Sequence, residues 1–263
     1  MSTDSTSPIA ADVLSSARSR TQFLKGAAFA AAGFGIAAPA IAHAGGGGTG
    51  GMPSGGLMTE STQTIFNIAA TAEALAVTAF YNVHEQVLRG AFDTTGIAVP
   101  VNTLVSVVRA ILREEQDHLS FLIGAGAHPL YTSFTFPPVI LTSALAALRF
   151  VEQAEGVFVA AYMAANREFA SAGMAQLAQY TYQIGAVEAE HRTLARAALG
   201  EMPPNNKSYE TKLYSTVGEA ATTLANLGLL KPGTPYPGAA AVDTLLATTV
   251  TKDVTAGVIQ RYP

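Results

Sequence analysis

Four stretches of this chain place an apolar residue every three or four positions, and in each an acid interrupts the stripe. The first reads Phe66, Ala70, Glu73, Val77, Phe80, His84. The second reads Leu104, Val108, Ile111, Glu115, His118, Leu122. The third is Leu141, Leu145, Leu148, Glu152, Glu155, Val159, Tyr162, and the fourth is Leu177, Thr181, Ile184, Glu188, His191, Ala195. Steps of three and four mark one face of an α-helix. Four such faces predict helices over about 60–89, 102–125, 140–170 and 174–199. Asn102 reads as the N-cap of the second, and Gly90 and Gly200 as stops.

A carboxylate in an apolar seam is costly unless something pairs with it. The arginines and lysines fall off these seams, so a metal ion is the simplest partner. Glu115 and His118 stand three apart, as do Glu188 and His191, and each pair therefore shares a helix face. Carboxylate oxygen and neutral imidazole suit iron or manganese, with zinc behind them. Four carboxylates balance the charge of two divalent ions. The candidate ligands are Glu73, Glu115, His118, Glu155, Glu188 and His191.

Register supports this grouping. The first turn centres near Thr95, with Glu73 22 residues before it and Glu115 20 after. The third and fourth helices turn near Ala172, with Glu155 17 before and Glu188 16 after. At about 1.5 Å per residue, each pair meets at one height in an antiparallel hairpin. Glu85 fails that test and reads as surface. His84 is too far along its helix to share a metal with Glu73. Glu152 is left as a ligand, an acceptor behind a ligand, or a partner for an arginine. Glu114, Asp117 and Glu190 read as solvated, although a carboxylate beside a bundle histidine can orient its free ring nitrogen. Tyr162 reads as core packing rather than a redox group. The long connection 124–138 predicts a crossover, with the second and third helices parallel.

Composition narrows the partners. The chain has 263 residues, 49% hydrophobic and 13% charged, with a net charge of −4. It shows no basic stripe, which excludes nucleic acid as an expected partner. It has no cysteine, which removes disulfides, thiolate metal sites and cysteine nucleophiles. Residues 1–44 pair a basic region with an apolar run ending Ala42-His43-Ala44, the pattern of an export signal. "SRTQFLK" (19–25) is similar to a twin-arginine motif, with Thr21 where the second arginine would stand. A bacterial periplasmic or extracellular location follows, with no stable membrane span after signal removal. Residues 45–58 read as a Gly-rich linker.

"EEQDHLSFL", "VEQAEGVFVAAYMAA" and "IGAVEAEHRTLARAALG" resemble the ferritin-like superfamily, closest to the ferritin-like domain of desiccation-related proteins of bacteria and plants. The likeness covers about 59–200. It implies an all-α, ferritin-like four-helix bundle, followed here by a helical C-terminal extension with helices over roughly 209–229 and 239–258. It also implies a carboxylate-bridged pair of iron or manganese ions on the six residues above. Dioxygen, peroxide or ferrous iron would be the small-molecule substrate, with ferroxidase or manganese-catalase-like activity the enzymatic versions. Without cysteine, a rubredoxin-type iron centre is ruled out. The competing expectation is a non-catalytic stress or surface-associated protein that keeps the bundle. A homo-oligomer is compatible with either.

Overall fold

Ser61 opens the first helix, its hydroxyl accepting the Thr64 backbone N–H at 3.1 Å. A computed structural model describes residues 60–255, with side chains as far as Ala247. The expected export signal and Gly-rich linker lie outside the described residues. Helix α1 (Thr62–Leu88) ends where Gly90 turns the chain with φ 66°. Helix α2 (Val101–Gly124) starts one residue earlier than expected. Pro100 already has the extended backbone that an N-cap requires, so Asn102 falls inside the first turn. Its side-chain oxygen accepts the Thr103 N–H at 2.9 Å instead.

The crossover contains β1 (Ser133–Phe134) and a short 3-10 turn (Pro138–Leu141). Helix α3 (Ala144–Ser171) then begins at a Ser143 cap, later than the expected residue 140. The delay has a cause. Thr142 and Ala144 are tied to Asp93 in the α1–α2 turn, through Asp93 N–H to Thr142 O at 2.8 Å and Ala144 N–H to Asp93 O at 2.7 Å. Leu145 was expected on the core seam but is 39% exposed, because it lies in the first turn over Gly96 at the rim. Helix α4 (Ala175–Ala198) follows a tight turn at Gly173.

α1 and α2 form one antiparallel hairpin, and α3 and α4 the other. The C-terminal halves of α2 and α3 share one end of the molecule with the N-terminal halves of α1 and α4. Thus α2 and α3 run parallel, and the crossover travels the length of the bundle. The architecture is all-α, with the two short strands as its only sheet among the described residues. Leu75, Leu112, Leu119 and Phe134 lie wholly inside. Helix α1 is long and apolar enough to cross a membrane by length and composition. Its apolar surface is instead committed to the bundle interior.

The extension packs on the bundle. Its first helix is shorter than expected: α5 covers Val217–Asn226, and residues 207–215 are irregular. That stretch is held from outside itself. Arg167 bonds the Ser215 carbonyl, and the Glu60 carboxylate accepts the N–H groups of Val217 and Gly218 at 2.9 and 3.0 Å. An added Cβ at 218 would stand 2.4 Å from Glu60 Oε1, so a side chain there would push the Glu60 carboxylate off these amides. β2 (Thr234–Pro235) pairs antiparallel with β1, and α6 (Ala239–Thr255) lies along α2. Arg113 reaches Asp243 at 2.9 Å, and the Tyr236 hydroxyl donates to Gln116 Oε1 at 2.9 Å.

Candidate metal centre

The acid positions of the four seams converge in the middle of the bundle. Glu73, Glu115, Glu188 and His191 are completely buried, and Glu155 is 1% exposed. His118 is the least enclosed, with 12% of its side chain exposed. His118 Nδ1 lies 3.6 Å from Glu73 Oε2, 3.8 Å from Glu115 Oε2 and 3.2 Å from Glu188 Oε1. His191 Nδ1 lies 3.1 Å from Glu115 Oε1, 3.8 Å from Glu155 Oε1 and 3.0 Å from Glu188 Oε2. Glu115 and Glu188 therefore each turn one oxygen toward either imidazole. Glu73 belongs to the His118 side and Glu155 to the His191 side.

Two overlapping groups result, Glu73–Glu115–His118–Glu188 and Glu115–Glu155–Glu188–His191. The atoms each would offer lie within 4.8 Å of one another. Glu73 Oε2, both Glu115 oxygens, Glu155 Oε2, Glu188 Oε1 and His118 Nδ1 are buried with no hydrogen-bond partner. Buried polar atoms are almost always satisfied. A cluster of unsatisfied donor atoms, all suited to hard or borderline cations, fits a pair of divalent metal ions.

A ferritin-like domain model matches residues 61–201. The chain belongs to the ferritin-like domain family. No curated protein and no solved structure matches it. The matched span of the ferritin-like domain is the four-helix bundle with Glu201 just past it, so the extension that carries α5 and α6 lies beyond it.

The ferritin-like core is electrostatically tense without cations. Burial, and then the neighbouring Glu115, push Glu73 up to about 7, against the pull of His118. Burial and the charges of Glu115 and Glu188 push Glu155 well above the ordinary carboxylate value. Glu115 is itself pushed up by burial and by Glu188, yet the two imidazoles win and leave it lowered. Burial opposes protonation of His118 and His191, but the surrounding carboxylates raise both well above an ordinary imidazole. To serve as ligands these raised carboxylates and imidazoles must give up their protons, so metal binding here is coupled to proton release.

Two residues turn out closer to the site than their sequence positions suggest. The Tyr162 hydroxyl donates to Glu73 Oε1, so it is more than core packing. Its own proton is held firmly, because burial and the charge of Glu73 raise it well above the ordinary phenol. Glu114 was expected to be solvated unless it stood beside a bundle histidine and oriented its ring. Its Oε2 stands 3.0 Å from His191 Nε2, and its side chain is only 32% exposed. It leaves the seam by one position, about 100° around the helix, and this turns it toward α4. The site is lopsided here, for Val187 stands on α4 where Glu114 stands on α2, one before the glutamate of each Glu-x-x-His pair.

Glu152 is a partner for arginine and lies outside the cluster. Arg149 Nη1 sits 3.3 Å from its Oε2, and Arg196 holds its other oxygen. Glu201 bonds both arginines, which fastens the end of α4 to α3. His84 is fully buried but stands apart from the cluster.

Proposed function

We propose that this is an exported ferritin-like di-metal carboxylate protein that works on dioxygen, peroxide or ferrous iron, in protection against oxidative or desiccation stress. Glu73, Glu115, His118, Glu155, Glu188 and His191 are the ligands. The observation that carries the reading is the set of buried, unsatisfied carboxylate oxygens gathered from four helices around two imidazoles. A pair of iron or manganese ions held there would supply adjacent Lewis-acid, redox-capable centres to a small oxygen species.

The chain's own residues prepare the site. Glu115 and Glu188 each turn an oxygen toward both halves, so both would help hold either ion. Glu114 holds His191 by Nε2 and keeps Nδ1 turned inward. Tyr162 fixes one oxygen of Glu73 and leaves the other for the centre. His118 is the most exposed of the six, with 12% of its side chain open, and would be the side of the site nearest solvent. A link to the desiccation-related branch rests on the helix motifs described above, and export rests on the signal-like residues 1–44.

Elemental analysis of the full chain tests the ligand set. Two iron or manganese ions per chain, both lost in Glu115→Ala, are expected. A single ion, or full occupancy in Glu115→Ala, refutes it. Oxygen release from peroxide by manganese-loaded protein, against ferrous oxidation by iron-free protein, separates the two enzymatic versions. Neither activity with both ions bound would favour a structural role for the bundle.

A further inference from the structure

The ferritin-like match stops at residue 201, yet α5 beyond it closes one end of the bundle. Between α5 and the layer of glutamates and histidines lies a cavity of about 40 Å3. Phe66, Phe158 and Ile184 form its walls, and Val217, Ala220 and Leu224 of α5 form its roof. Tyr162 is part of its floor, and the hydroxyl of that residue bonds Glu73. The chamber therefore shares a side chain with the metal centre.

Its polar lining is already engaged. Tyr162 donates to Glu73. Thr181 donates to the Ala178 carbonyl at 2.9 Å, and the Tyr180 hydroxyl takes a hydrogen bond from Gln176 Nε2 at 2.7 Å on the exposed side. A water molecule needs two to four polar partners to occupy a cavity, and apolar cavities stay dry and accept apolar guests such as xenon. The space exists because small side chains face it, Ala161 from α3 and Ala220 and Ala221 from α5 among them. A second apolar cavity, of about 30 Å3, lies at the other end of the bundle around Phe80, Leu104 and Ile111. No residue lining that one belongs to the cluster or bonds it.

We infer that α5 roofs a binding chamber for one small, uncharged, apolar molecule, from a diatomic gas to xenon in size, set against the Tyr162 side of the centre. The binding itself needs no metal. Only its use, presenting an apolar reactant at Glu73, rests on the di-metal reading. The extension then has a task, which is to seal an end of the bundle that would otherwise be wet. Charged and hydrated species are refused there and keep to the His118 edge.

Crystals of the full chain pressurised with xenon test this, with the second cavity as internal control. Xenon should appear in the chamber of the wild type. It should be lost from the chamber in Ala220→Leu and in the milder Ala221→Val, while the second cavity stays occupied and metal content is unchanged. Xenon absent from the wild-type chamber, ordered water in its place, or undiminished xenon in both variants would overturn the inference. A protein that takes up xenon there but binds no metal keeps the chamber and loses the di-metal reading.

Discussion

Replacing Gly185 by alanine probes how closely α3 and α4 must approach to place Tyr162 on Glu73. An added Cβ at 185 would stand 2.9 Å from Tyr162 Cβ and 3.7 Å from its Cγ. Neither Cβ can move by changing rotamer, so the helices must part by roughly half an ångström or more to regain ordinary contact. Overpacking of this kind costs about 1–3 kcal/mol. The gain from removing a helical glycine, about 0.5–1 kcal/mol, offsets only part of it. The net loss is about 1–2 kcal/mol, which lowers Tm by roughly 2–8 °C for a fold of this size. Gly156, beside Glu155 on α3, is the control, because nothing lies within 4 Å of a Cβ added there. Gly156→Ala should therefore raise Tm by a few degrees, in line with the helix-propensity gain. Thermal unfolding of both variants, followed by far-ultraviolet circular dichroism, gives the comparison. Equal stabilisation by the two substitutions would refute the close-approach argument.

Three more outcomes follow from the same geometry. Burial and crowding raise Glu155, and raise Glu73 to about 7, while the surrounding carboxylates raise His118 and His191, so loading a divalent ion near pH 7 should release protons. Calorimetry in two buffers of different ionisation heat reads this directly, and a buffer-independent heat would contradict it. Burial, with Arg109 nearby, lowers His84 from 6.5 to about 4. Its folded value lies below its unfolded one, so acidification protonates the unfolded chain first, and stability falls between about pH 6.5 and 4 but not above. The loss is about 3 kcal/mol and should vanish in His84→Gln, as read by urea unfolding across that window. Glu60→Ala removes the acceptor of the Val217 and Gly218 amides, at a cost of about 1 kcal/mol. Hydrogen exchange in 217–226 should quicken without change in metal content, and unchanged exchange would show that Glu60 does not hold α5.

The four helices and the meeting of their acids were readable because burial imposes a period, and a misplaced carboxylate stands out against it. Glu115 with His118 and Glu188 with His191 lie on the face their spacing implies, at the heights the two turns imply. Tyr162 was harder to read. Its partner Glu73 is 89 positions away, and periodicity gives a residue's face but not the atom opposite it. Glu114 was hidden by being one step off the seam, a position that is solvent on an isolated helix and interface once α4 packs alongside. The late start of α3 and the shortened α5 were unreadable for a related reason. Asp93, Glu60 and Arg167, all remote in sequence, take up backbone groups that a local reading assigns to helix.

The hold of Glu60 on α5 joins the start of the described chain to the C-terminal extension. The residue that leads into the first helix grips one that begins 157 positions later. Unwinding at the entry of α1 and loosening of the α5 N-terminus are thus coupled through one carboxylate. Fraying at that corner should therefore loosen the first turn of α5 as well.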